Sequence, residues 1–236
     1  MKRRSEGVLI GAEVATDVPW PLDDDHKNAA VIEALEPMVT EARAARLQAV
    51  FAARTAAVTV VVDSLHDPHN GAAIVRSCDA FGVPVMHAIE RHEAFAAARA
   101  VAKGSQKWVE IVNHAGAERC VARLRESGHE LVATHPEGEL EPEDLARVPK
   151  VALLLGNERD GIDPTLRAAC GRSVRVPMRG FVESLNVSVT AAILLHAATR
   201  GRSGDLDPRR LRALYARGLY LTVQRADERL AGLLGA

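Results

Sequence analysis

Residues 173–200, SVRVPMRGFVESLNVSVTAAILLHAATR, decide how the whole chain is read. The β-branched opening, 173–178, predicts a strand. Gly180 predicts a turn, and the Ala- and Leu-rich remainder predicts a helix whose first turn is Ser184-Leu185-Asn186-Val187-Ser188. A strand, a tight loop and a helix start crowded with small hydroxyl and amide side chains suit a polar ligand, because the first N–H groups of a helix lack internal partners. Ser184 could equally be no more than the helix cap, and Asn186 no more than the end of the turn.

Working outward, the chain from Thr55 alternates between two periods. Strands are expected at 58–63, 84–89, 108–113, 130–135, 151–156 and 173–178, with helices at 71–81, 94–101, 115–127 and 164–169. Asp163 is the expected N-cap of the last of these, with Pro164 at its first position. Continuous apolar strands separated by helices indicate an α/β fold with a parallel sheet covered on both faces. The dinucleotide fingerprint G-x-G-x-x-G is absent after the first strand, where the sequence is SLHDPHNGAAIVRSCDAFGV. No G-x-x-x-x-G-K-[ST] loop is present either. The unusual loops follow the first strand and the last two, so ligand chemistry is expected toward the C-terminal end.

The flanks read differently. Residues 1–37 carry 4 basic and 8 acidic side chains, with a short helix expected at 26–36 under an Asp25 cap. Pro37 is expected to start a helix running to Arg54, and 38–54 carry 3 basic residues against 1 acidic. Residues 201–205 form a polar hinge, after which Asp207-Pro208 starts a C-terminal arm. Leu211, Leu214 and Tyr215 lie on one side of it, with Arg209, Arg210, Arg212 and Arg217 elsewhere. Four segments are therefore expected: an extension (1–37), a helical arm (38–54), a sheet domain (55–200) and a second helical arm (201–236). The net charge of −1 hides two basic flanks, which suit RNA contacts or ordinary solvated helices alike.

Composition removes several classes. With 47% hydrophobic residues among 236, the chain can fill a core. No apolar run approaches the ~20 residues of a membrane span, so no membrane partner is expected. The N-terminal apolar stretch, broken by Gly11 and Glu13, does not read as a signal peptide. Three widely spaced cysteines (Cys78, Cys120 and Cys170) point to a reducing cytoplasm rather than a disulfide framework. None belongs to a C-x-x-C pair, and His66 with His69 is the one close histidine pair of the first loop, so no metal is expected. Asn186-Val187-Ser188 matches a glycosylation sequon by chance.

Three stretches now stand together: Asp67-Pro68-His69-Asn70-Gly71-Ala72-Ala73-Ile74-Val75-Arg76, with Asn70 opening a helix; Leu153-Leu154-Leu155-Gly156-Asn157-Glu158-Arg159-Asp160-Gly161; and Val176-Pro177-Met178-Arg179-Gly180 followed by Ser184-Leu185-Asn186-Val187-Ser188-Val189. In this order they resemble the three motifs of the SPOUT superfamily, specifically its TrmH-like RNA 2′-O-ribose methyltransferases. The resemblance covers roughly 38–215, including Lys103-Gly104-Ser105-Gln106-Lys107-Trp108, and is closest to the members that methylate the D-loop guanosine (guanosine-18) of tRNA. Gly71-Ala72, Asn157 and Arg159-Asp160 depart from the best-known members.

The resemblance implies a C-terminal deep trefoil knot, S-adenosyl-L-methionine (AdoMet) bent among the knot loops, and a homodimer with catalytic residues near its interface. It implies that Arg76 is catalytic, that Asn70 orients Arg76 or the ribose, and that Glu158 holds the arginine or the interface loop. Ser184 and Asn186 would shape the site and contact substrate. Thr134, Leu155, Gly156, Asn157 and Gly161 would take the cofactor, with Val176, Met178 and Leu185 against its adenine. Gly156 and Gly161 would let backbone approach the adenosine closely. His69 would touch RNA or only form its loop, and Arg209, Arg210, Arg212 and Arg217 would meet tRNA phosphates. The alternatives are a methyltransferase of 23S ribosomal RNA from the same superfamily and a non-catalytic RNA-binding relative.

Overall fold

The computed structural model describes residues 9–10, 24–89, 107–157 and 160–231; the helix expected at 94–101, most of the Lys103–Trp108 stretch and Glu158 lie outside them. The chain divides into two compact units, one of residues 1–12 and 55–202, the other of 13–54 and 203–236. In chain order the elements are β1 (Leu9–Ile10), α1 (Asp25–Leu35), α2 (Glu41–Ala52), β2 (Val58–Asp63), α3 (Pro68–Ala80), β3 (Val85–Ile89) and β4 (Glu110–His114). They continue with α4 (Ala117–Glu126), β5 (Glu130–Thr134), β6 (Val151–Leu155), α5 (Pro164–Ala169), β7 (Arg172–Val174), α6 (Val187–Thr199), α7 (Pro208–Tyr220) and α8 (Ala226–Leu230).

In the first unit six parallel strands run in the order β4-β3-β2-β6-β5-β7, and β1 adds antiparallel to β4 at the edge. The pleat sorts each strand between two cores. Val58, Val60 and Val62 face one way with Met86, Val132, Leu153 and Leu155, under α3 and α6. Val61 faces the other way with Ile89, Leu131, Ala152 and Leu154, under α4 and α5. Burial on both faces is what the uninterrupted runs VTVVVD and VALLL require of central parallel strands.

In this unit three expected boundaries move by three residues or more. Helix α3 begins at Pro68, capped by Asp67, so Asn70 sits inside its first turn rather than opening it. The Asp-Pro pair sets this start, the same device that Asp163-Pro164 uses at α5. Strand β7 stops at Val174, and 175–186 form neither strand nor helix. Helix α6 then begins at Val187 with Asn186 as its cap, which leaves Ser184 and Leu185 in the preceding loop.

The second unit packs α1 and α2 against α7. Val31, Leu35, Leu47, Phe51, Ala216 and Leu219 form its buried interior. Asp24, not Asp25, caps α1, taking the N–H groups of His26 and Lys27, because an acidic run offers more than one cap in succession. Pro37 lies in a 3₁₀ turn (Glu36–Met38), and α2 starts only at Glu41 under a Thr40 cap. Asp207 caps α7 as its sequence suggests.

Candidate active site

The carboxyl ends of β5, β6 and β7 open into a cleft of about 800 Å³, the position where parallel α/β sheets bind ligands. Thr134 ends β5 and Leu155 ends β6, and both line it with Gly156, Asn157 and Gly161 of the loop that follows. The chain leaving β7 contributes Val176 and Met178, then Ser184, Leu185 and Asn186. Val176 and Met178 thus belong to the cleft wall and not to a strand: residues 175–178 leave the sheet. Arg167 on α5, Glu183 and His135 also line the cleft, and no motif in the sequence marked them.

One amide joins the first motif to the third. Asn186 Oδ1 accepts from the Ser188 N–H at 2.8 Å and from the Ser188 hydroxyl at 2.7 Å. That fixes the orientation of its amide, so Asn186 Nδ2 donates to Asn70 Oδ1 at 3.0 Å. Asn70 is only 7% exposed, so this is a part-buried contact across 116 residues of chain. Asn is among the best N-caps, which is the signal that places the helix start here.

The two glycines that line the cleft also shape their own loop. A Cβ on Gly156 would stand 2.3 Å from the Gly161 carbonyl carbon and 2.7 Å from Ile162 N, so backbone packs on backbone there. Gly161 has open space around its Cα but a φ of +71°, a left-handed conformation that favours glycine. Asn157 and Gly161 exchange backbone hydrogen bonds of 3.0 and 3.2 Å, and Asn157 Oδ1 takes the Asp160 N–H at 2.6 Å.

Arg76 stands apart. It is exposed on α3, six residues after Asn70, which puts it about 120° around the helix axis and roughly 9 Å along it. Among the described residues it makes no hydrogen bond or ion pair, and none joins it to Asn70. His69 is exposed in the first turn of α3, its N–H held by Asp67 Oδ1 at 2.8 Å. In the second unit Arg209 is exposed, and Arg212 pairs with Asp25 at 3.2 Å. Arg217 is only 7% exposed, so it is withdrawn from any phosphate outside: α7 packs along that face. Arg210 is half-buried in the first turn of α7.

The sheet also brings together residues that are distant in sequence. His87 Nδ1 and His114 Nε2 lie 2.8 Å apart in a hydrogen bond between buried rings of β3 and β4, and Cys120 Sγ is within 4.8 Å. Burial, then His114 and Arg123, pushes the His87 ring down to about 3, and burial with Arg123 pushes His114 down to about 4. Burial pushes the Cys120 thiol up to about 12. At neutral pH this is a pair of uncharged rings sharing one proton beside an uncharged thiol.

A parallel sheet whose C-terminal strand ends open into a cleft with apolar walls and a few polar groups, without dinucleotide or P-loop signatures, defines an α/β protein built to hold a small organic ligand. The model of the SpoU rRNA Methylase family matches residues 57–196, and the chain belongs to that family. It is 34% identical over 161 residues to the tRNA (guanosine(18)-2'-O)-methyltransferase of Escherichia coli, covering 68% of this chain and 70% of that one. It is 35% identical over 164 residues to the enzyme of the same name from Thermus thermophilus, covering 69% and 84%. Among solved structures, the TrmH/SpoU tRNA modifying enzyme of A. aeolicus superposes with a TM-score of 0.69 at 28% identity, over 78% of this chain and 98% of that one. The SpoU methyltransferase AviRb from Streptomyces viridochromogenes, in complex with AdoMet, gives 0.56 at 26% identity, over 64% and 60%.

Proposed function

We propose that this chain is an AdoMet-dependent RNA 2′-O-ribose methyltransferase acting on guanosine-18 in the D-loop of tRNA. The supporting observation is the Asn186–Asn70 hydrogen bond, which sets the first motif beside a cleft walled by the second and third. The cleft suits the cofactor: its volume is within the range of small-molecule sites, and Leu155, Val176, Met178 and Leu185 offer apolar surface for a purine. Thr134 and Asn157 offer polar contacts, and Arg167 and Glu183 offer charges for the carboxylate and ammonium of a methionine moiety. AdoMet supplies an electrophilic methyl on a sulfonium.

The protein's own work is to align a ribose hydroxyl for in-line attack and ease the loss of its proton. Arginine, with a pKa of roughly 12.5 or higher, is a poor base. Arg76 therefore acts as a cation that holds a substrate phosphate and stabilises the developing alkoxide, while the hydroxyl's proton leaves to solvent water. Asn70, its amide turned by Asn186, and Ser184 position the ribose. The tRNA reading draws on the names of the relatives from E. coli and T. thermophilus. The chain acts as a homodimer in the cytoplasm. The exposed position of Arg76, away from Asn70, fits a site completed by a second copy, and the free thiols of Cys78, Cys120 and Cys170 fit a reducing compartment. The C-terminal part is threaded as a trefoil knot; in its favour, α6 returns from beyond β7 to pack against α3 and the 3₁₀ segment Pro142–Arg147.

Purified protein, radiolabelled AdoMet and separate pools of unmodified tRNA and ribosomal RNA test this. Label on the ribose of guanosine-18 is expected. Label in ribosomal RNA alone would replace the substrate, and none in either would overturn the reading. Arg76→Ala should lower turnover at least ~100-fold, the scale of losing one oriented electrostatic group, with AdoMet affinity kept. Near-normal turnover would remove Arg76 from the chemistry.

A further inference from the structure

The loop joining β7 to α6 exposes apolar surface where folding gives no reason for it. Phe181 is 109% exposed and Val182 60%. The other phenylalanines among the described residues behave otherwise: Phe51 is buried and Phe81 packs against the core. Arg179, two residues earlier, is also exposed and makes no hydrogen bond or ion pair among the described residues. Glu183 and Ser184, two and three residues later, line the cleft. Three residues of chain span at most about 10 Å. A nucleotide with its ribose at Ser184 and Asn186 could therefore lay its base on the Phe181 ring.

We propose that Phe181 is the stacking platform for a base of the RNA substrate, with Arg179 holding a neighbouring phosphate; this rests on the RNA-methyltransferase reading above. A ribose hydroxyl inside a folded RNA loop is reached only when its nucleotide is drawn out, and the base that leaves its stack needs a replacement surface. An aromatic ring flanked by a cation and polar groups is the combination single-stranded RNA sites use.

The test compares wild type with Phe181→Ala, Phe181→Leu and Phe181→Tyr on unmodified tRNA. The alanine variant should raise KM for tRNA by roughly 5- to 100-fold, the range of one lost base–aromatic stack. Its AdoMet affinity by calorimetry and its sedimentation should match wild type. The tyrosine variant should stay near wild type and the leucine variant should follow alanine, because the ring face and not apolarity is what binds. An unchanged KM in the alanine variant, or a leucine variant equal to tyrosine, would overturn the proposal. A shift to smaller species on sedimentation would also overturn it and assign the patch to a second copy. Wild-type protein that methylates no RNA would instead remove the functional reading itself, so the two failures are told apart.

Discussion

Substituting Asn186 separates its structural bonds from its functional one. Its Oδ1 caps α6 through the Ser188 N–H at 2.8 Å, and its Nδ2 serves the buried Asn70 Oδ1 at 3.0 Å. Asn186→Ala removes both. The lost cap costs about 1 kcal/mol, and leaving the Asn70 oxygen without this donor costs about 1–3 kcal/mol more. The expected destabilisation of the sheet unit is therefore about 2–4 kcal/mol. Asn186→Asp differs: aspartate caps as well as asparagine, and Asn70 can turn its NH₂ toward the new carboxylate. Stability should then fall by less than about 1 kcal/mol. If Asn70 positions the ribose as proposed, the turned amide should lower methylation at least ~10-fold, a modest share of what one oriented polar group contributes. Urea unfolding in a Trp20→Phe background lets Trp108 alone report on the sheet unit, with tRNA methylation measured in parallel. An Asn186→Ala variant as stable as wild type would refute the capping and pairing argument. An Asn186→Asp variant with wild-type turnover would refute the role of amide orientation.

Gly156→Ala should destabilise the sheet unit and weaken AdoMet binding together, because its Cβ meets the backbone of Gly161 and Ile162 at 2.3–2.7 Å; calorimetry showing normal affinity would contradict this. The His87–His114 pair makes the fold acid-sensitive. The unfolded rings take up protons below about 6.5, while the folded ones resist down to about 4 and about 3, so their stabilisation is complete above 6.5 and lost as pH falls toward those values. The slope in that window is about 1.4 kcal/mol per pH unit for each ring, and an NMR titration midpoint above about 5.5 for either ring would rule it out. Arg209→Gln should reduce the slope of log tRNA affinity against log salt by roughly 0.7–0.9 if this exposed side chain meets a phosphate. Arg217→Gln should leave that slope alone and instead lower stability, as expected of a buried side chain.

The sheet was legible because buried parallel strands write their burial into continuous apolar runs: VTVVVD was read to its last residue, and VALLL to within one. The end of β7 was not. Val174, Val176 and Met178 look alike as strand formers, yet only Val174 pairs, while the other two supply the cleft wall. Composition reports that a residue is apolar and not which surface covers it. Helix starts are marked in the sequence, since Asp67-Pro68 is the same cap signal as Asp163-Pro164. The cleft residues were visible through motif resemblance and would not have been from periodicity alone. Arg167 and Glu183 carried no such mark, and the meeting of His87 with His114 depends on strand pairing.

Side chains that the motifs pass over hold the ligand-facing loops in place. Asp63, at the end of β2, takes the Asp163 N–H on Oδ2 at 2.7 Å and ties the second motif's loop to the sheet centre. Glu139 takes the Ser173 N–H at 2.9 Å and its hydroxyl at 2.6 Å, anchoring the start of the segment that becomes the third motif's loop. Those bonds from Ser173 hold the Glu139 carboxyl down to about 2, so it stays an acceptor throughout the neutral range. Asn186 and Asn70 supply the third tie. Each loop is thus fixed by hydrogen bonds of a polar side chain to a distant part of the chain. The cleft can therefore keep its interior for ligand, and the contacts that shape it are hydrogen bonds across the chain, which no local pattern in the sequence displays.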